Sequence, residues 1–240
     1  MVESSRAFNP YALTREQLAN FIQHTQISPN ATQAEITAHL ETCVRFRFNA
    51  AMVAMCWVPL AQTVLKGSGV KVATFFGFGM GNESVNGKVA LVEECRALGA
   101  DEIDYAPNMG YFLSGMHQEF QQEAATLVKA AAGTPLKAML QLGFIEKAED
   151  RKLAAHLLDE AGVPWVKNSS GGWPPGATAA TPEDIRLLRE AVSDSCKIKA
   201  SGKINSYTTA VSLLEAGAEL LGTSAGPEII QGFDLAQSDY

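Results

Sequence analysis

The sequence predicts an α/β fold, a closed TIM-type (β/α)8 barrel in one domain. Three observations carry that expectation. Eight short apolar or β-rich runs alternate with amphipathic stretches of helical spacing along the 240 residues. Such a rhythm implies parallel strands joined by helical crossovers, and eight units in this length suit a closed barrel better than an open sheet. Apolar residues make up 47% of the chain and charged residues 19%, which supplies a large core and argues against disorder.

The elements follow in order. Residues 20–25 (NFIQHT) form a first strand, and Thr32-Gln-Ala-Glu35 is a capping box that opens a helix through about Phe46. The apolar run 50–55 is a strand buried on both faces, and a short helix follows Pro59. Strand 71–76 precedes Gly77, Gly79 and Gly81, and a helix over 84–98 stops at Gly99. Strand 102–106 leads to a helix over 117–132, and strand 136–141 to a helix over 146–161. Strand 164–167 precedes Thr181-Pro-Glu-Asp184, a helix start with Thr as N-cap, Pro at the first position and acids in the first turn. Strand 197–200, a helix over 206–216, strand 220–223 and a final helix over 226–232 complete the series. Residues 1–16 are expected to be a short N-terminal extension, and residues 232–240 a mobile tail.

Composition narrows the function. The formal net charge is -7 and no Lys/Arg cluster appears, which disfavours a nucleic-acid partner. Four cysteines, Cys43, Cys56, Cys95 and Cys196, form no CxxC pair and suit reduced thiols in the cytoplasm. Met1 to Pro10 lacks the apolar core of a signal peptide, and no apolar run approaches membrane-spanning length. His24, His39, His117 and His156 show no ligand spacing; the last three fall on helices and are expected at the surface, so no metal is expected.

Catalytic groups of a barrel come from the C-terminal ends of its strands. Asp104, Lys167 and Lys199 fall there, the two lysines on neighbouring strands. Two close ammonium groups disfavour double protonation, and burial acts in the same direction. One amine then becomes neutral near pH 7 and attacks a carbonyl, with the carboxylate relaying protons. Either lysine alone reads more readily as a solvated charge or an ion-pair partner; the pair with Asp104 makes the case.

At these residues the sequence resembles the 2-deoxyribose-5-phosphate aldolase family, whose members are class I, Schiff-base aldolases. Lys71-Val-Ala-Thr74 with Gly77-Phe78, Gly99-Ala-Asp-Glu-Ile-Asp104, Trp165-Val-Lys-Asn-Ser-Ser-Gly171, Lys199-Ala-Ser-Gly202 and Gly222-Thr-Ser224 are similar to its motifs, in its order; His24-Thr25 and Cys56 with Pro59 match weaker positions. The resemblance implies that Lys167 forms the Schiff base, that Lys199 lowers its pKa, and that Asp104 moves protons. Some members end in a tyrosine that relays protons, which makes Tyr240 a candidate. The same resemblance makes Cys56, Thr74, Ser169, Gly171, Gly172, Gly202, Lys203, Asn205, Gly222 and Ser224 candidate substrate contacts. Cys56 itself reads as a packed strand-end thiol rather than a nucleophile.

The implied reaction is reversible cleavage of 2-deoxy-D-ribose 5-phosphate, or a related hydroxy-aldehyde, without a cofactor, in a homodimer or higher homo-oligomer. The chain departs from the family at the phosphate end. Lys203 stands at a usual glycine, Asn205 at a usual arginine and Ala225 at a usual serine, while Trp173 enters the loop after Lys167. Weakened preference for phosphorylated substrate is the expectation. A Schiff-base lyase with another carbonyl donor, or a non-catalytic sugar-phosphate-binding barrel, are the alternatives.

Overall fold

The computed structural model describes residues 8–171 and 176–238. Its eight strands are β1 (Ile22–Gln26), β2 (Ala50–Val53), β3 (Lys71–Phe76), β4 (Glu102–Tyr105), β5 (Leu136–Met139), β6 (Trp165–Lys167), β7 (Lys197–Ser201) and β8 (Leu220–Thr223). They are hydrogen-bonded in sequence order into a closed parallel barrel. Closure comes where β1 pairs with β8, Ile22 opposite Leu221 and His24 opposite Thr223.

Among the described residues ten α-helices accompany them: α1 (Arg15–Ala19), α2 (Gln33–Phe46), α3 (Val58–Val64), α4 (Val85–Ala97), α5 (Met109–Leu113), α6 (His117–Ala131), α7 (Ala148–Glu160), α8 (Pro182–Ala191), α9 (Tyr207–Glu215) and α10 (Gly226–Ser238). The expected caps are formed. Thr32 and Glu35 make a reciprocal capping box at α2, and Thr181 Oγ1 accepts from Asp184 N at α8.

Side chains alternate along each strand between helix layer and lumen. Ala51, Val53, Val72, Ile103, Tyr105, Ala138, Val166, Ile198 and Leu221 belong to the large core against the helices. Ala50, Met52 and Ala73, with Ile27 and Phe75 packed on them, form a separate small cluster inside the barrel. Other lumen positions carry the polar and charged residues Gln23, Glu102, Asp104, Lys137, Lys167 and Lys199, all buried.

Several boundaries differ from expectation, each with a cause. α5 was not anticipated; the Asn108 side chain caps it by accepting from Tyr111 N, and Met109 and Phe112 bury its inner face. α1 opens on a second capping box, Thr14 with Gln17. α10 runs on to Ser238 instead of stopping near residue 232. Ile229, Ile230 and Phe233 are buried there, and Phe233 packs edge-on against Tyr207 at 5.7 Å. His39 is buried rather than at the surface, its ring stacked 4.7 Å from that of His24, while His156 is exposed as expected. Burial moves His39 to a pKa of about 3, with His24 acting in the same direction. Among the described residues no helix is long and apolar enough to cross a membrane.

Candidate active site

Lys167 closes β6, and Lys199 lies directly beside it on β7 in the strand register. Asp104 on β4 faces both across the lumen. Its Oδ2 accepts from Lys199 Nζ at 2.7 Å and from Lys167 Nζ at 3.1 Å. Lys199 Nζ also donates to Gln23 Oε1 at 2.7 Å. The three residues that sequence reasoning singled out therefore meet at one carboxylate oxygen.

The electrostatics are those of a crowded, dry site. Burial alone would raise the Asp104 carboxyl, but Lys199, Lys167 and Lys137 outweigh it and hold the group well below the usual carboxylate range. Lys199 goes the other way. Burial, helped by the Lys167 and Lys137 charges and opposed by Asp104, brings its ammonium down from 10.5 to about 7.

Above these groups a cavity of about 430 Å³ opens at the C-terminal ends of the strands. It has two unlike halves. Met52, Phe75 and Phe78, from β2, β3 and the loop after β3, make an apolar wall. Gly171, Ser201, Gly202, Lys203, Gly222 and Ser224, from the ends of β6, β7 and β8, make a polar one. Lys167, Lys199 and Asp104 lie between. Gly171 and Gly202 have φ of +88° and +112°, and a Cβ on Gly171 would come within 2.5 Å of Ser201 Oγ. Only glycine lets these two backbones fold into the rim.

Six of the expected substrate contacts line this cavity: Gly171, Gly202, Lys203, Asn205, Gly222 and Ser224. Three do not. Thr74 faces the helix layer, since Ala73 and Phe75 take the lumen, and its Oγ1 donates to Val53 O at 3.0 Å. Cys56 lies exposed in a 3-10 turn (Met55–Trp57) after β2, so it is neither a packed thiol nor a cavity residue. Ser169 is buried, and its Oγ accepts from Gly171 N and Thr178 N, both at 3.1 Å, which ties those two residues together. Gly172, Trp173 and Tyr240 lie outside the described residues. Lys203 adopts the left-handed backbone, at φ +54°, with an exposed side chain.

Sequence reasoning missed Lys137 and Glu102. Both share lumen parity with Asp104: Glu102 is two residues before it, and Lys137 is its register partner on β5. A lysine in the middle of a buried barrel strand was the available signal. Among the described residues no group of His, Cys, Asp or Glu is arranged to hold a metal ion.

No protein-family model matches the chain. Curated relatives do. It is 36% identical to the deoxyribose-phosphate aldolase of Caldanaerobacter subterraneus subsp. tengcongensis over 217 residues, covering 89% of this chain and 92% of the relative. It is also 36% identical to that of Methanocella arvoryzae over 222 residues, covering 92% and 97%. Among solved structures, the tetrameric deoxyribose phosphate aldolase of Aeropyrum pernix superposes with a TM-score of 0.83 at 25% identity, covering 92% of each chain.

Proposed function

Because this chain belongs to the deoxyribose-phosphate aldolase family, we propose that Lys167 is its Schiff-base amine and that Asp104 and Lys199 carry its proton transfers. The enzyme is an aldehyde-lyase that reversibly cleaves 2-deoxy-D-ribose 5-phosphate to acetaldehyde and glyceraldehyde 3-phosphate. Lys167 Nζ attacks the C1 aldehyde of the open-chain sugar, and loss of water leaves a protonated imine. A base removes the C3 hydroxyl proton, the C2–C3 bond breaks, and its electron pair enters the imine as an enamine. Protonation at C2 and hydrolysis release acetaldehyde and restore the amine.

One observation supports Lys167 over Lys199 as the nucleophile. Lys199 Nζ is held by two acceptors at 2.7 Å, whereas Lys167 Nζ has a single, longer contact to Asp104. The less restrained amine is the one free to reach a carbonyl. A neutral Lys199 can take up the Lys167 proton across the Asp104 oxygen that both bond. Borohydride reduction with acetaldehyde followed by peptide mass spectrometry tests this assignment. An adduct on Lys167 supports it; an adduct confined to Lys199, or none, refutes it.

The polar rim of Gly171, Gly202, Gly222 and Ser224 is the phosphate end, with backbone N–H groups as its donors. Lys203 reaches it from the exposed side, and Asn205 and Ala225 supply less charge and fewer hydroxyls than the family pattern, which favours weakened phosphate preference. The ratio of retro-aldol kcat/KM on deoxyribose 5-phosphate and free deoxyribose measures it, and a preference of several thousandfold for the ester would refute weakening. We also place the enzyme in the cytoplasm as a homo-oligomer: the free thiols Cys43, Cys56, Cys95 and Cys196 suit a reducing compartment, and the Aeropyrum pernix homologue is a tetramer.

A further inference from the structure

Below the reacting groups the lumen holds a column of charges that the aldol chemistry does not itself use. Lys71, at the base of β3, has a side chain 49% exposed and places Nζ 2.7 Å from Glu102 Oε1. Glu102 is buried, and its Oε2 lies 2.6 Å from Lys137 Nζ. Lys137 Nζ lies 3.6 Å from Asp104 Oδ1, and neither atom completes a directed hydrogen bond. Asp104 turns its other oxygen to Lys167 and Lys199. Gln23 makes a second strut: its Nε2 donates to Glu102 Oε2 at 2.6 Å, while its Oε1 accepts from Lys199. The column runs from solvent at the base of the barrel to the amines in the mouth.

The charges along it do not balance. Four lysines (Lys71, Lys137, Lys167, Lys199) share two carboxylates, Glu102 and Asp104, and all of these except the half-exposed Lys71 are buried. Charges at such separations in a low-dielectric interior shift each other's protonation strongly. The groups that face Lys199 are Gln23 on β1, Glu102 and Asp104 on β4, Lys137 on β5 and Lys167 on β6. Of these, Gln23, Glu102 and Lys137 do not line the cavity.

We propose that Glu102 and Lys137 are positioning residues: with Lys71 they fix how much positive charge presses on Asp104 from below, and so the pH at which the lysine pair above it sheds a proton. The inference rests on the reading of Lys167 and Lys199 as the reacting pair. Lys137 is the positive end of the column nearest Asp104, and Glu102 is the counter-charge that moderates it. Removing either acts on the mouth with opposite sign.

The test is the pH dependence of retro-aldol kcat/KM for the wild type and for Lys137→Met, Glu102→Gln and Lys71→Met, with borohydride trapping on each. Lys137→Met removes an ammonium, so the proton on the pair is held more tightly and the acidic limb moves up by about one pH unit, about tenfold in rate on that limb. Lys137→Arg restores it. Glu102→Gln moves the limb down. Lys71→Met, at a half-exposed side chain that the fold tolerates, moves it up by less than Lys137→Met. A purely structural role would lower activity evenly across pH, and general destabilisation cannot give shifts of opposite sign. Limbs that overlay the wild type while Lys167 still traps overturn this proposal alone. Loss of trapping on wild-type Lys167 overturns the reading beneath it.

Discussion

Replacing Lys199 by methionine separates what this side chain does for the reaction from what it costs the fold. An unfolded chain holds the Lys199 proton up to about 10.5, whereas the folded site holds it only up to about 7. A cation with a depressed folded pKa costs stability: the cost is absent above about pH 10.5, grows as pH falls from there to 7, and is complete below 7. The interval corresponds to about 5 kcal/mol. Methionine has a similar length and no charge, so it removes that cost but leaves Gln23 Oε1 and Asp104 Oδ2 each one donor short, at about 3 kcal/mol together. The variant should therefore be more stable at pH 7 by roughly 2 kcal/mol. For a chain of this size that is a Tm rise of about 4–8 °C, fading as pH is raised towards 10. Activity should fall by about 10²- to 10⁴-fold, the range for losing a general acid–base group. Thermal melts at pH 6, 7 and 9 beside steady-state kinetics read both effects. A variant that melts below the wild type at pH 7, or keeps its kcat within tenfold, refutes the reasoning.

Other outcomes follow from the same geometry. Lys167→Met should lose borohydride trapping with acetaldehyde while melting within a few degrees of the wild type, as mass spectrometry and calorimetry would show. Gly202→Ala puts a Cβ against Thr178 O at φ +112°, so it should destabilise by about 2–3 kcal/mol and raise KM for the phosphorylated substrate; an unchanged denaturation midpoint would count against the tight rim. Lys203→Met should raise KM for deoxyribose 5-phosphate several-fold and leave free deoxyribose unaffected, and equal effects on both would remove Lys203 from the phosphate end. His39 is held neutral by burial, with a folded pKa of about 3 against 6.5 in the unfolded chain. The unfolded state therefore takes up the extra proton, and stability drains away as pH falls from 6.5 towards 3. His39→Phe should flatten that acid loss in denaturant titrations at pH 4 and 7.

The barrel was legible because each crossover carries its own punctuation. Thr32 with Glu35, Thr181 before Pro182, and Gly99, Gly133, Gly162 and Gly217 after their helices mark starts and stops that local hydrogen bonding alone decides. What escaped depended on which way a residue faces. His39 falls in the stripe Ile36, His39, Leu40 and Cys43, all buried on α2, so its helical spacing already placed it inward. Thr74 was misplaced because a family motif was read without the two-residue alternation that sends it away from the lumen. Lys137 and Glu102 were passed over for a related reason. A charge in a barrel strand looks solvated until the closed sheet removes the solvent, and only the complete cylinder shows that both must pair inside it. α10 continued past its expected end because Phe233 finds Tyr207, a partner 26 positions earlier that no local window contains.

The pairing of β8 with β1 has a consequence for how occupancy is felt by the molecule. Gly222 sits opposite Gln23 and Thr223 opposite His24 in that seam, and Gly222, Thr223 and Ser224 also border the cavity. An anion gripped there would staple the first strand of the cylinder to the last, the joint that any opening of the chain ends must unzip. Slower amide exchange along residues 22–26 and 220–223 in saturating glyceraldehyde 3-phosphate would be the mark of that stapling, and would make the thermal endurance of this enzyme a reporter of how full its site is.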